Sequence, residues 1–168
     1  MIRVLLLDLG DTLVKSSTDK LFPGVPAALS AVRKLKAADG KKLVACLVSD
    51  FTMPQPRTPE AIDAAFAEYL QVLRRLDLTR FFKPVSERVT LSTHAGVLKP
   101  DRRVFETALR RARRSDAGLS ECLFITENRS HVKACRAMGM DALQFGVDFK
   151  KWADAPPLIA QRMAAGLR

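Results

Sequence analysis

The sequence predicts a single α/β domain in which a central parallel sheet carries helices on both faces. Three observations lead there. Short, wholly apolar runs alternate with longer stretches of helical periodicity, and each apolar run stops at a polar or charged residue. Strands recurring between helices call for right-handed crossovers and hence a parallel sheet. The 168 residues, 48% of them apolar, suffice for one core without disulfides or a structural metal.

Arg3 to Leu7 reads as the first strand and ends at Asp8. After a polar stretch, Pro23 and Gly24 precede a helix from Val25 to about Ala38. Leu29, Val32 and Leu35 share one face of it and Gly40 closes it. Leu43 to Val48 is apolar throughout, the pattern of a strand covered on both faces, and ends at Ser49. Pro54, Pro56 and Pro59 make Phe51 to Pro59 an ordered loop.

A second helix follows from Glu60 to Leu76, with Ile62, Phe66, Leu70 and Leu73 at helical spacing, and Val89 to Leu91 is a short strand. Lys99 and Pro100 open a third helix reaching about Arg114, with Val104, Phe105 and Leu109 facing inward. Cys122 to Thr126 is another buried strand, His131 to Met138 a short helix and Ala142 to Phe145 a last strand. Residues 153–168 form a C-terminal helical tail, its helix running from Leu158 to Leu167, with apolar residues to pack on the sheet or on a second subunit. No repeat or low-complexity tract marks a boundary, so one domain spans 1–168.

Composition narrows the function classes. No apolar run approaches the roughly 20 residues of a membrane-spanning helix. The Ile2 to Leu7 run is too short, and Asp8 too early, for a secretory signal, so a cytoplasmic address is expected. Cys46, Cys122 and Cys135 are odd in number and widely spaced, which fits core thiols rather than disulfides or a zinc site. The formal net charge is +10, densest at Arg110, Arg111, Arg113 and Arg114, with Lys41 and Lys42 elsewhere. Such a surface suits an acidic partner or nucleic acid, or simply complements a helix C-terminus; no aromatic residues interleave the basic ones as a nucleic-acid platform would need.

Functional groups in an open parallel sheet collect where strands end. Asp8, Ser49 and Glu127 each follow a strand, and Lys99 stands at a helix start. A carboxylate, a hydroxyl, an ammonium and a second carboxylate at one rim suit magnesium-dependent phosphoryl transfer. Carboxylates hold a hard cation, and the hydroxyl and ammonium take the remaining phosphoryl oxygens.

The motifs make this specific. The run Leu5-Leu6-Leu7-Asp8-Leu9-Gly10-Asp11-Thr12-Leu13 resembles the first motif of the haloacid dehalogenase (HAD) superfamily, and Val48-Ser49 the second. Gly96-Val97-Leu98-Lys99-Pro100-Asp101 with Val104-Phe105 resembles the third. Leu123-Phe124-Ile125-Thr126-Glu127-Asn128, leading to Ala137-Met138-Gly139-Met140, resembles the fourth. The resemblance implies a phosphatase or phosphotransferase whose nucleophile, Asp8, forms an aspartyl phosphate. It also implies Mg2+ held by Asp8, the Gly10 carbonyl and Glu127, and a phosphoryl group clamped by Ser49 and Lys99. Asp11 and Lys99 join Asp8 as catalytic candidates, and Thr12 and Asp50 join Ser49 and Lys99 as substrate-binding ones.

Two departures stand out. Gly10 occupies the position where family phosphatases carry an acid/base aspartate, leaving Asp11 one step further on as the substitute. Thr126-Glu127 stands where the family has one or two aspartates. They sustain a rival reading, a catalytically weak or inactive HAD-like domain with a binding or oligomerising role. A third, metal-free displacement at carbon, normally needs a cap over the substrate. Among the other polar residues, His94 and His131 read as surface or loop residues, Asp50 also as a helix or turn cap and Asn128 as either an aid to Glu127 or a turn residue.

The gaps between motifs bear on substrate. Between Thr12 and Pro23, and again before the third motif, there is no room for the helical cap of many relatives. The site should be open, suiting a phosphorylated protein or nucleic acid or a lid borrowed from another subunit. The Phe51 to Pro59 loop should overhang it.

Overall fold

The structure, a computed structural model, describes residues 1–37 and 40–165. Five parallel strands form the central sheet: β1 (Val4–Leu7), β4 (Val44–Ser49), β5 (Val89–Leu91), β6 (Cys122–Thr126) and β7 (Asp141–Gln144), in spatial order β5-β4-β1-β6-β7. A separate two-stranded hairpin, β2 (Val14–Lys15) and β3 (Lys20–Leu21), fills the segment after Asp8. The helices are α1 (Val25–Val32), α2 (Pro59–Arg75), α3 (Val85–Arg88), α4 (Ser92–Ala95), α5 (Arg102–Arg111), α6 (Arg129–Ala137) and α7 (Ala155–Ala165).

Alternation along the strands builds two cores. Leu5 and Leu7 of β1, Leu47 of β4 and Leu123 and Ile125 of β6 face α1, α2 and α7. Val4, Leu6, Cys46, Val48 and Phe124 face α5 and α6. With both faces covered, β1 and β6 have no solvent-facing position, which is why their sequences are apolar almost throughout. Register places Leu6 between Cys46 and Phe124, so β1 is the central strand and its C-terminal end is flanked by those of β4 and β6. All three cysteines are free and buried; burial pushes Cys46 up to about 11 and Cys122 and Cys135 to about 12, leaving them inert.

Three expected boundaries move. The first helix stops at Val32, and its expected end at Ala38 lies outside the described residues. Beyond Val32 the chain turns so that Leu43 N–H donates to Leu35 O (3.0 Å) and Ala37 N–H to Lys41 O (2.7 Å), a reversal that delivers β4 to the side of β1. Leu35 keeps the helical periodicity because it still packs on the core, now from a turn. The third helix starts at Arg102, because Asp101 caps it by accepting Arg103 N–H (2.9 Å), and Lys99 and Pro100 belong to the preceding loop. It ends at Arg111, where Arg113 adopts φ 54° and Arg114 N–H closes on Leu109 O. In the tail, α7 buries Ala155, Ile159 and Met163 against the core that includes α1; the expected end at Leu167 lies outside the described residues.

Candidate active site

The chain order reverses direction between β1 and β6, and a crevice opens there above the C-terminal strand ends. This cleft, of about 420 Å³, is lined by Asp8, Gly10, Asp11, Ser49, Asp50, Lys99 and Glu127, together with Tyr69, Asn128 and His131. Five separated stretches of sequence thus meet in one place. A second cleft of similar volume between Phe22, Phe145 and Trp152 has no carboxylate, hydroxyl or imidazole among its described lining residues, so the first is the candidate site.

Asp8 is held from several directions. Its Oδ1 lies 2.6 Å from Lys99 Nζ and accepts Leu9 N–H (2.8 Å), and its Oδ2 lies 3.0 Å from Thr126 Oγ1. The side chains of Lys99 and Asp8 are only 2% and 11% exposed, so this ion pair operates away from bulk water. Lys99 Nζ also donates to Val48 O (3.1 Å), and Asp50 Oδ1 accepts Lys99 N–H (2.9 Å). Asp50 is therefore not a helix cap: it reaches across 49 residues to fix the Lys99 backbone while also lining the cleft.

Glu127 is supported equally closely. Thr12 Oγ1 donates to its Oε2 (2.8 Å) and accepts its N–H (3.0 Å), Thr126 Oγ1 lies 3.2 Å from the same oxygen, and Gln144 Nε2 donates to its carbonyl (3.0 Å). Thr126 has one hydroxyl proton and so donates to Asp8 or Glu127 at any moment, coupling the two carboxylates. Thr12 does not line the cleft as a substrate-binding residue would. It is fully buried, with its hydroxyl committed to Glu127 and its carbonyl accepting Trp152 Nε1–H (2.8 Å), because the loop after β1 folds back beneath the cleft.

Ser49 accepts the Tyr69 hydroxyl at 2.6 Å. That interaction leaves the Ser49 proton for an acceptor in the cleft. Burial raises the Tyr69 pKa far above its ordinary value, so it remains a neutral donor. Asp11 sits at φ 49° with its carboxylate accepting Ser16 N–H (2.9 Å), at the exposed mouth of the cleft.

Neither histidine is a plain surface or loop residue. His131 lies on α6 at the cleft wall, with its Nδ1 buried and unpartnered and its pKa lowered by burial and then by Lys99. His94 is in α4, its Nδ1 accepting Leu91 N–H (2.9 Å) and its ring edge-on to Phe66. Asn128 caps α6, accepting the N–H groups of Ser130 and His131. The Phe51 to Pro59 loop turns partly away from the cleft: the Phe51 ring meets Tyr69 edge-on, the Phe51 N–H donates to Ser92 Oγ, and Arg57 donates to the Thr93 and His94 carbonyls. Tyr69 is the residue that sequence reasoning missed. Its signal was a single phenol on the inward stripe of α2 beside Phe66, Leu70 and Leu73.

The donor set bears on magnesium. Among the described residues, no three His, Cys, Asp or Glu side chains converge as metal ligands. Asp8 and Glu127 with the Gly10 carbonyl nevertheless supply only oxygens, and magnesium takes one or two carboxylates and fills its octahedron with water and substrate oxygens. The residues fit that cation on those terms.

No family model matches the sequence, and no curated protein is similar to it. Solved structures are. HAD-hydrolase YfnB from Bacillus subtilis, whose crystal structure is bound to magnesium and reveals interdomain movement, superposes with a TM-score of 0.64 at 13% identity over 89% of each chain. A haloacid dehalogenase-like hydrolase of Streptococcus pneumoniae gives 0.55 at 13% identity, over 96% of this chain and 90% of that one. The chain has the HAD fold. A Corynebacterium glutamicum protein of uncharacterized function also gives 0.55, at 17% identity, over 98% of this chain and 96% of its own. Among the described residues, no helix in this HAD-type fold is long and apolar enough to cross a membrane.

Proposed function

We propose that the cleft is the active site of a magnesium-dependent phosphatase or phosphotransferase. The observation that carries this reading is the buried pairing of Asp8 with Lys99 at 2.6 Å, next to the Ser49 hydroxyl and across Thr126 from Glu127. Asp8 attacks phosphorus in line; the bond to the leaving oxygen breaks as the aspartyl phosphate forms, and water then cleaves that intermediate to restore the carboxylate. Lys99 and Ser49 bind the phosphoryl oxygens as charge shifts onto them, Tyr69 orients Ser49, and Asp50 holds the Lys99 backbone. Magnesium held by Asp8, Glu127 and the Gly10 carbonyl would neutralise negative charge between nucleophile and substrate.

Protonation of the leaving group is the weak step, because Gly10 carries no side chain and Asp11 is turned to Ser16 N–H. This predicts good turnover of activated aryl phosphates and poor turnover of alkyl phosphates, a missing general acid costing about 10²- to 10⁴-fold. The cleft mouth, bordered by the β2–β3 hairpin rather than by an inserted helical domain, favours a phosphorylated macromolecule as substrate.

Hydrolysis of an aryl phosphate by purified protein, with magnesium and with chelator, is the test. Turnover should require magnesium and fall by roughly 10⁴-fold or more in Asp8→Asn; an equally active Asp8→Asn would remove the nucleophile. Gly10→Asp should raise alkyl phosphate turnover, since a Cβ at Gly10 meets only Ser16 Oγ at 3.4 Å. No gain would mean that the loop does not aim position 10 at the leaving group.

A further inference from the structure

The opposite end of β4 carries a second polar cleft. It lies about 17 Å from Ser49, given a rise of about 3.3 Å per residue along the strand. Arg33, Lys42, Lys83 and Arg88 wall a hollow of about 210 Å³, with Val44 and Phe81 among its apolar lining. The four cations come from the end of α1, the approach to β4, the turn before α3 and the end of α3. Among the described residues, no carboxylate lines the hollow.

Among the described residues, these charges are also unneutralised by contact. Arg33 Nη1 donates to the Arg80 carbonyl (3.1 Å) and Arg88 Nη1 to the Ala112 carbonyl (3.4 Å); neither meets a carboxylate. The ammonium groups of Lys42 and Lys83 have no side-chain partner among the described residues. Two neighbouring acids among the described residues are already engaged, Glu87 with Arg113 (2.8 Å) and Asp77 with Arg80 (3.1 Å). A helix dipole accounts for Arg33 at the end of α1, but Lys42 and Lys83 lie on no helix end of eight residues or more.

We propose that this hollow binds a small condensed phosphate, either free or as the phosphate tail of a nucleoside polyphosphate. Adjacent phosphoryl groups supply several negative charges within the reach of all four cations, and the two guanidinium forks can each take a phosphoryl group through paired N–H donors. The dimensions favour this over a nucleic acid: the cations ring one hollow rather than forming a stripe. Phe81, the aromatic at the rim, is already covered by the Arg80 guanidinium at 4.7 Å and offers no free stacking face.

Isothermal titration of the full chain with inorganic tripolyphosphate, ATP and a 20-base-pair DNA duplex tests the proposal, using the native protein, Lys42→Gln/Lys83→Gln and Lys42→Arg/Lys83→Arg. Tripolyphosphate should bind the native protein, weaken by at least tenfold in the glutamine pair and be largely restored in the arginine pair. Binding of ATP alongside tripolyphosphate identifies a nucleoside polyphosphate as an acceptable source. Tripolyphosphate binding without ATP identifies the free condensed phosphate. Unchanged tripolyphosphate affinity in the glutamine pair overturns the site, and so does duplex binding without tripolyphosphate binding. Thermal unfolding of both variants checks that a lost signal is not a lost fold.

Discussion

The two ends of β4 handle charge in opposite ways. At its C-terminal end, Lys99 is paired with Asp8 in a nearly closed space, and Glu127 is held by two threonine hydroxyls. At its N-terminal end, four cations border a hollow with no carboxylate in its wall among the described residues. The contrast shows that the net charge of +10 is handled differently from one part of the molecule to another. Several arginines elsewhere are matched to acids: Arg3 to Asp116 and Glu121, Arg103 to Asp101, Arg162 to Asp141. Excess charge becomes informative where matching stops.

The same kind of substitution, a cation replaced by a neutral side chain of similar length, should therefore have opposite signs at the two ends. The largest effect belongs to Lys99→Met, which leaves the Asp8 carboxylate without its partner in a site shielded from water. Breaking a buried pair on one side costs about 3–5 kcal/mol, to be read from denaturant unfolding. Asp8→Asn/Lys99→Met should recover part of that loss, since no lone charge remains. A loss under about 1 kcal/mol would show that the pair behaves as an exposed one, and the contrast between the two ends would collapse.

Legibility in the sequence followed the same division. β1, β4 and β6 were readable because two-sided burial removes polar residues from them, and the polar residues at their ends, Asp8, Ser49 and Glu127, then identified the rim. What failed were features fixed by contacts distant in sequence. The role of Tyr69 depends on Ser49, that of Asp50 on Lys99, and that of Thr12 on Glu127, to which its hydroxyl is committed instead of to substrate. The hairpin over residues 14–21 is too short for any periodicity to show.

Charge was misleading in the same way. The densest basic run, Arg110 to Arg114, is largely consumed internally: Arg110 donates to Thr107, Arg111 to Val89 O with its guanidinium over Phe66, Arg113 pairs with Glu87 and Arg114 with Asp116. Four cations without an acid partner among the described residues, at positions 33, 42, 83 and 88, are separated in sequence and converge on one hollow only through the fold.

An intermediate effect concerns pH. Both histidines belong to the C-terminal side of the sheet, and His94 is the more strongly perturbed, pushed down to about 4 by burial and then by the nearby Arg111 guanidinium. Its Nδ1 must stay unprotonated to accept Leu91 N–H. Because the folded value lies below the ordinary 6.5, the unfolded chain binds more protons between those limits. The stabilisation is complete above about pH 6.5 and is lost as pH falls towards 4. His94→Asn keeps an acceptor for Leu91 and removes the titration, so its stability should fall less steeply across this window in pH-dependent denaturant melts. His131, also lowered, leaves a residual slope of the same sign. An unchanged slope in His94→Asn would place the acid sensitivity elsewhere.

The smallest effect carries the sign that matters. Lys42→Gln/Lys83→Gln removes two charges from a crowded cationic hollow, and relief of repulsion should raise the melting temperature by about 1–2 °C at low ionic strength. At about 0.5 M salt the Debye length is short enough to screen the hollow already, and the gain should vanish. Anion binding alters the outcome in a defined direction: with tripolyphosphate present, the native protein should melt higher than the double variant, because the ligand stabilises only the chain that holds it. A double variant that melts lower than the native protein without any anion would mean that the two lysines are held by favourable contacts after all. The N-terminal hollow would then be matched like the C-terminal rim, with no charge left over for a ligand.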